Sequence, residues 1–338
     1  MLAYLKLNLR QDWEGGSLIQ ENFIYRGLIG GAYTKGKTFD GSERQVEQGF
    51  QLIPKTVEVG ITLQKEDIQV FNRGELAAFK LIDSRMTTGY MTMGAFLAIG
   101  QYLGGQGTLI ANLNGLAEAL NDGVTASFDG TAYTTYGGIT RGGQVGPALN
   151  SPVLNVAGTI EYNVLEETYT NCSFGNIEPN LGVTTPLGYS FVKEKFQTQQ
   201  RFNDTQDPAI GFNGLKFNSG TLIKSRYCPG TGAGSVASAD GIATAGTTAN
   251  LEAIDYLGQT TNGAVTTYPY SGSGETLFWL QAREPFLNFY VSTDPEFGLG
   301  FTGFKPHQLN TSLVGQILFA GNLTLHPRYH RQLVGITG

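Results

Sequence analysis

Cysteine, histidine and charge are all scarce in this 338-residue chain, and each shortage removes a class of function. Two cysteines, Cys172 and Cys228, are too few for a disulfide framework or a zinc cluster, so both read as reduced thiols. Charged residues make up only 15% of the chain, with 22 Lys and Arg against 28 Asp and Glu. A net charge of -6 argues against a protein whose main task is gripping phosphates, and it leaves any nucleic-acid contact local or weak. No uninterrupted apolar run reaches about 18 residues, and the opening "MLAYLKLNLRQDWEGG" has no continuous apolar segment of the leader type. The chain reads as soluble and non-secreted, with no membrane partner.

Catalytic patterns are missing too. There is no G-x-S-x-G elbow, and Glu166 and Glu167 are consecutive, so on a helix they do not share a face. Nothing singles out a carboxylate pair among the other acids. "GAYTKGKT", Gly31 to Thr38, fits the phosphate-cradling G-x-x-x-x-G-K-[ST] pattern, but that chemistry needs a buried strand before it and a helix after it. "YRGLIG" is short for such a strand and "FDGSERQVEQG" carries two glycines, so the stretch reads as a loop with a lysine-rich tip, Lys35 and Lys37. His326 and His330 are four apart, as in half of a zinc site. On an extended segment four residues span about 13 Å, too far for one metal, and the pair reads as surface histidines. The expectation is a protein that is not an enzyme and takes neither cofactor nor metal.

What the chain does have is glycine: 47 of them, about twice the average usage of roughly 7%. With many Thr, Asn and Tyr, that suits strands joined by tight turns more than a helical bundle. Residues 1–56 show no sustained period and read as an extended arm and a long hairpin, which would be marginal alone and would need neighbours such as other copies of the chain. Val57, Val59, Ile61 and Leu63 then alternate with polar residues or glycine, the signature of a half-buried strand. Phe79, Ile82, Met86, Tyr90, Met93 and Leu97 recur at spacings of 3 and 4, which predicts a helix over Arg73 to Leu103, about 45 Å long.

Beyond it, "YGGITR", residues 136–141, places a glycine pair and an arginine between soft loops. Gly137 and Gly138 allow backbone angles closed to other residues, and Arg141 could fix either the turn or a subunit contact through its planar fork of donors. Helices are expected over Thr159 to Tyr169 and from Pro186 onward, with a short strand at "LGVTT". Residues 228–274 are small and polar, either a surface insertion or weak strands at an exposed tip. "GQILFAGNLTLHP" reads as a late strand that could bulge at Gly321 and pair with Val57 to Leu63. The alternation of turn, strand and helix predicts a mixed α+β fold.

The order of these segments resembles tailed-bacteriophage major capsid proteins of the Hong Kong 97 type, from about Pro54 to the C-terminus with the 228–274 insertion excluded. The arm, the basic-tipped hairpin and the long helix carry the resemblance, with "YGGITR", "CSFGNIEPNLGVTT", "QQRF", "GFNGLKF" and "AGNLTLHPRYHRQLVGIT" following in order. It implies an N-terminal arm (1–30), an extended E-loop (31–56), a peripheral domain with a spine helix (57–144 and 313–338), and an axial domain (145–312, with the insertion 228–274). "YGGITR" would then mark the passage from peripheral to axial domain. Many relatives continue this motif with a Ser-Thr pair and a Trp-Arg-Asn, whereas this chain has "GGQVGPALN". Some relatives form a lysine–asparagine isopeptide bond; Lys35, Lys37 and Lys55 lie in the relevant region, but no partner asparagine is identifiable and no crosslink is expected.

The resemblance implies self-assembly through pentamers and hexamers into an icosahedral shell. Its partners would be scaffolding, portal and decoration proteins, and packaged double-stranded DNA only through weak non-specific contact. The site would be the virion capsid, assembled in the host bacterial cytoplasm. A second reading, a β-rich phage tail or cell-surface adhesion module, predicts a smaller role for the long helix and no shell.

Overall fold

A computed structural model describes residues 5, 8–36, 38, 41–68, 75–106, 112–143, 145–197, 215–231, 274–307 and 311–338. Lys37 and nearly all of the insertion lie outside them. In chain order the strands are β1 (Arg10–Trp13), β2 (Ile19–Ile24), β3 (Glu47–Leu52), β4 (Lys55–Gln64), β5 (Thr135–Tyr136), β6 (Ile139–Thr140), β7 (Val153–Thr159) and β8 (Leu181–Thr184). They continue with β9 (Leu215–Phe217), β10 (Gly220–Lys224), β11 (Glu275–Leu280), β12 (Leu287–Ser292), β13 (Gly298–Phe301), β14 (Lys305–Pro306), β15 (Ser312–Leu325) and β16 (Arg331–Thr337). Three longer helices, α1 (Glu75–Gly100), α2 (Tyr162–Cys172) and α3 (Pro186–Gln197), accompany two four-residue helical turns, Leu116–Ala119 and Gly146–Leu149. The result is the expected α+β mixture, and no helix among the described residues is long and apolar enough to cross a membrane.

Two six-stranded sheets organise the chain. The first is built around β15, which pairs antiparallel with β4, β12, β13 and β14, while β12 in turn holds β1 in parallel. The pairing expected between the two alternating segments is present, with Ile317 opposite Val59 and Leu313 opposite Leu63. The second sheet runs β7-β16-β11-β8-β10-β9.

Helix α1 covers most of the expected 73–103 span, but its burial is uneven. Met93 and Leu97 are in the core and Met86 packs against it, whereas Tyr90 is exposed, and the side chain of Phe79 lies outside the description. From Thr92 to Gly100 nearly every position is buried, so a single apolar stripe describes only the first part of the helix.

Sheet membership departs from the expected partition at two places. β12 to β14, placed by the sequence in the 145–312 unit, belong to the sheet of β4 and β15. β16, placed with 313–338, pairs with β7 and β11 in the other sheet. The chain therefore crosses from second sheet to first at Gln281–Phe286 and back at His326–His330.

The N-terminal segment is also less dependent on neighbours than its aperiodic sequence implied. β1 is paired within the chain, and the β2–β3 hairpin buries Ile19, Phe23, Phe50 and Leu52, the last three in the core cluster that also holds Phe289, Phe319 and Leu323 of the first sheet. The hairpin thus spans 19–52, beginning inside the expected arm. Beyond Arg26 its tip has a different character: every described residue from Gly27 to Gln45 is exposed and none is in a strand.

Gly321, read as a candidate bulge, continues the ladders of β15 with both β12 and β4. What requires glycine there is close approach, since a Cβ would stand 2.0 Å from the carbonyl oxygen of Tyr290. Gly321→Ala should destabilise the isolated subunit by about 1–3 kcal/mol through overpacking, read as a lower urea midpoint. An unchanged midpoint would mean that the β12–β15 contact relaxes freely.

Candidate assembly site at the hairpin base

The "YGGITR" segment forms a two-residue hairpin between β5 and β6, with Gly137 at φ 55° and Gly138 at φ 80°. Positive φ at both central residues is the type I′ turn that matches strand twist, and glycine adopts it without a Cβ penalty. This small hairpin is docked against the large one. A Cβ on Gly137 would lie 2.6 Å from Cβ of Phe50, the Gln51 amide donates to the Gly137 carbonyl at 2.9 Å, and the Tyr136 and Phe50 rings are 5.2 Å apart. The Leu325 amide donates to the Tyr136 hydroxyl at 3.0 Å, tying the same point to β15.

Arg141 leaves this turn and goes inward; only 8% of it is exposed. Its Nη2 donates to the carbonyls of Glu118 at 2.6 Å and Ala119 at 3.1 Å, and its Nη1 donates to those of Asn121 and Leu149. Three of those carbonyls, Glu118, Ala119 and Leu149, sit at the ends of the two four-residue helical turns, where a helix leaves acceptors unpaired, and the fourth, Asn121, also accepts from the Ser151 amide. Burial pushes the guanidinium down to about 10, partly offset by Tyr136, Glu118 and Asp122, so it stays charged at neutral pH. The fork gathers segments before and after it in sequence.

Glu118 is fully buried beside it and accepts from the Gly105 amide at 2.9 Å, Gln106 Nε2 at 2.7 Å and Asn114 Nδ2 at 2.7 Å. Burial raises its carboxyl above the usual range against the pull of those bonds and of Arg141. Lys55, also buried, is lowered by burial and partly restored by the charge of Glu118. Asn114 continues the network to Asn322 of β15, whose Nδ2 donates to Asn114 Oδ1 at 2.8 Å and to the Ile53 carbonyl at 2.8 Å.

On the other side of the hairpin base, Glu21 of β2 accepts from Asn288 Nδ2 at 3.0 Å and from the Thr324 hydroxyl, and its Oε2 lies 3.2 Å from His326 Nε2. Burial raises the Glu21 carboxyl, but the bonds from His326, Asn288 and Thr324 outweigh it and hold the group below its ordinary value. The hairpin base is therefore pinned by polar contacts as well as by Phe23 and Phe50.

His326 and His330 are both buried, which corrects the surface reading. The Pro327–Tyr329 turn between them is not extended, and each imidazole has its own partners. His330 Nδ1 accepts from the Gln281 amide at 3.0 Å, and its Nε2 donates to the Phe286 carbonyl at 3.0 Å. Among the described residues no group of three or more His, Cys, Asp or Glu side chains is arranged to hold a metal. Both cysteines are buried, and burial drives the Cys172 thiol up to about 12, out of nucleophilic range.

Of the sequence-derived site residues, Gly137, Gly138 and Arg141 come together at the hairpin base. Lys35 is exposed on the tip, far along the chain from that cluster, and Lys37 lies outside the described residues. Glu21 and Glu118 escaped the sequence reading. The available signal was a lone acid on a buried register: Glu21 alternates with Ile19 and Phe23, and Glu118 stands within "GLAEAL".

No protein-family model matches this sequence, and no curated protein matches it. Solved structures do. The capsid subunit of cyanophage A-1(L) is similar over 100% of this chain and 92% of its own, at 11% identity and a TM-score of 0.63. The capsid of a native GTA particle matches over 98% and 89%, at 6% identity and a TM-score of 0.58. The holo-SrpI encapsulin complex from Synechococcus elongatus PCC 7942 matches over 98% and 86%, at 9% identity and a TM-score of 0.53. At these identities the likeness is one of fold: the chain has the architecture shared by subunits of phage capsids, a GTA capsid and an encapsulin.

Proposed function

We propose that this chain is a bacteriophage major capsid protein of the Hong Kong 97 type, self-assembling through pentamers and hexamers into the icosahedral shell around double-stranded DNA. The observation that carries the reading is the likeness to the A-1(L) capsid subunit over 100% of this chain. The hairpin supports it: its base is built into the subunit core, while its tip presents Leu28, at 77% exposure, with Ile29 and Tyr33 to whatever lies beyond. An exposed apolar tip gains stability by lying on an adjacent subunit.

In this reading the peripheral domain is the β15-centred sheet with α1, and the axial domain is the β11-centred sheet with α2 and α3. The 19–52 hairpin is the E-loop, with Lys35 at its tip. Scaffolding, portal and decoration proteins are the remaining protein partners, packaged DNA is touched only weakly by a chain of net charge -6, and the product is a virion component assembled in the host cytoplasm. The role is structural and not catalytic.

Negative-stain microscopy of the purified chain tests this directly. Closed particles, rings or tubes are expected, and a monodisperse monomer at high concentration, with or without a scaffold, would sink the proposal. Limited proteolysis gives a second reading: cleavage between Gly27 and Val46 should be fast in free subunits and suppressed in the assembled fraction. Equal sensitivity in both would remove the hairpin tip from the interface.

A further inference from the structure

Beneath the hairpin base lies a cavity of about 500 Å³ that opens to solvent. Its walls are mostly apolar, from Ile24, Phe174, Phe286 and Tyr329, and its fixed charges are the two arginines Arg26 and Arg328. At the edge His326 Nε2 lies 3.2 Å from Glu21 Oε2, and among the described residues no acidic side chain lines the space. The walls are rigid: the Phe286 and Tyr329 rings are 4.4 Å apart, and Arg328 stacks 3.9 Å from the centroid of Phe174. Two rim residues, Ile24 and Phe174, are large, apolar and exposed.

The complementary shape occurs on the same chain. After β12, the loop Thr293–Phe297 presents Phe297, 39% exposed, flanked by the exposed acids Asp294 and Glu296. This loop is held in one conformation. Asp294 Oδ1 accepts from the amides of Glu296 at 2.9 Å and Phe297 at 3.2 Å, the Gly298 amide donates to the Asp294 carbonyl at 2.8 Å, and the Ala320 amide of β15 donates to the Phe297 carbonyl at 2.8 Å. A preorganised aromatic with two flanking carboxylates loses little entropy on docking, and its charge is opposite to that of the cavity.

The two features also lie at opposite ends of one strand. Pro285 and Phe286, which precede β12, line the cavity, and the acidic loop follows its last residue about 20 Å away. One copy therefore cannot fill its own cavity, whereas a row of copies can do so head to tail, the arrangement that closes into rings. We propose that the loop Asp294–Phe297 of one copy of this chain seats Phe297 in the cavity of the next, with Asp294 and Glu296 facing Arg26 and Arg328. This contact rests on the capsid reading and assigns it a specific pair of surfaces, adjacent to the point where the hairpin tip departs.

The test uses the full chain. Glu296→Arg or Arg328→Glu alone should raise the protein concentration needed for particle formation by about tenfold or more, and combining them should return it to within about threefold of the native value. Because Arg328→Glu also gives up the stacking on Phe174, Arg26→Glu serves as a second partner for the same reversal. Independently, the pair Ile24→Cys and Phe297→Cys should give an intermolecular disulfide ladder from oxidised particles, while either cysteine alone gives none. Ladder and compensation together support the contact, and the ladder decides where they disagree. Particles that form without a ladder overturn the contact and leave the capsid reading standing. A native chain that never assembles overturns both.

Discussion

Arg141→Ala should cost the free subunit about 3–5 kcal/mol, seen as a large fall in the urea midpoint before any question of assembly arises. The magnitude follows from what the side chain does. Its two terminal nitrogens serve four carbonyls: those of Glu118 and Ala119 in one helical turn, Asn121 just beyond it, and Leu149 in the other turn. Truncation removes these donors in a buried site, where the Asn121 carbonyl alone keeps the Ser151 amide at 3.0 Å, and it removes the positive charge next to the buried Glu118. Arg141→Lys should recover only part of the loss, because a point ammonium cannot span carbonyls arranged around a planar fork. The sequence left two roles open for Arg141, turn or subunit contact, and they predict different outcomes. A contact residue would keep its midpoint on substitution and lose particles alone. That outcome would overturn the role argued here.

How much of this was legible follows from where the physical signals lie. The β4–β15 pairing could be read because both strands have one face in the core, so apolar residues recur at every second position over a long run. Helix α1 could be read for the related reason that its first half is half-buried. β12 and β16 could not be assigned to a sheet, because they are buried on both faces and so show no apolar–polar alternation to mark a register. Proximity in sequence then misplaced them, since the chain crosses between sheets twice within about 50 residues of its end. β1, "RQDW", has almost no apolar content, and the partner that makes it a strand lies nearly 280 residues away. At the candidate site, the glycine pair announced a turn correctly, but nothing local to Arg141 announces that its acceptors come from residues 118–121 and 149. Long-range backbone acceptors leave no mark on sequence, whereas a lone acid on an apolar face, as at Glu21, does.

Acidification from pH 7 to 4.5 should weaken the native subunit by about 2–3 kcal/mol more than it weakens a His330→Gln variant. His330 sits where the two crossings between the sheets meet: its Nδ1 accepts from Gln281, just after β11, and its Nε2 donates to Phe286, just before β12, while the Ser151 hydroxyl donates to its own carbonyl at 2.7 Å. The imidazole is wholly buried and must remain neutral, because a proton on Nδ1 would face the Gln281 amide, a second donor. Burial accordingly depresses it to about 3, with His326 and Arg331 acting in the same direction and the bond to Phe286 opposing them. The sign follows from linkage. Below an unfolded value near 6.5 the unfolded chain takes up a proton that the folded chain refuses, so stability falls by about 1.4 kcal/mol per pH unit from there toward pH 3. Glutamine offers one acceptor and one donor without titrating, so it should cost some stability at pH 7 yet flatten this part of the pH dependence. Glu21, held below its ordinary value by His326, Asn288 and Thr324, loses stability in the same direction as pH falls, but it does so in both proteins and cancels from the comparison. Urea midpoints of the free subunit at the two pH values decide the matter, and parallel losses in native and variant chains would mean that the crossing opens enough at low pH to hydrate the imidazolium.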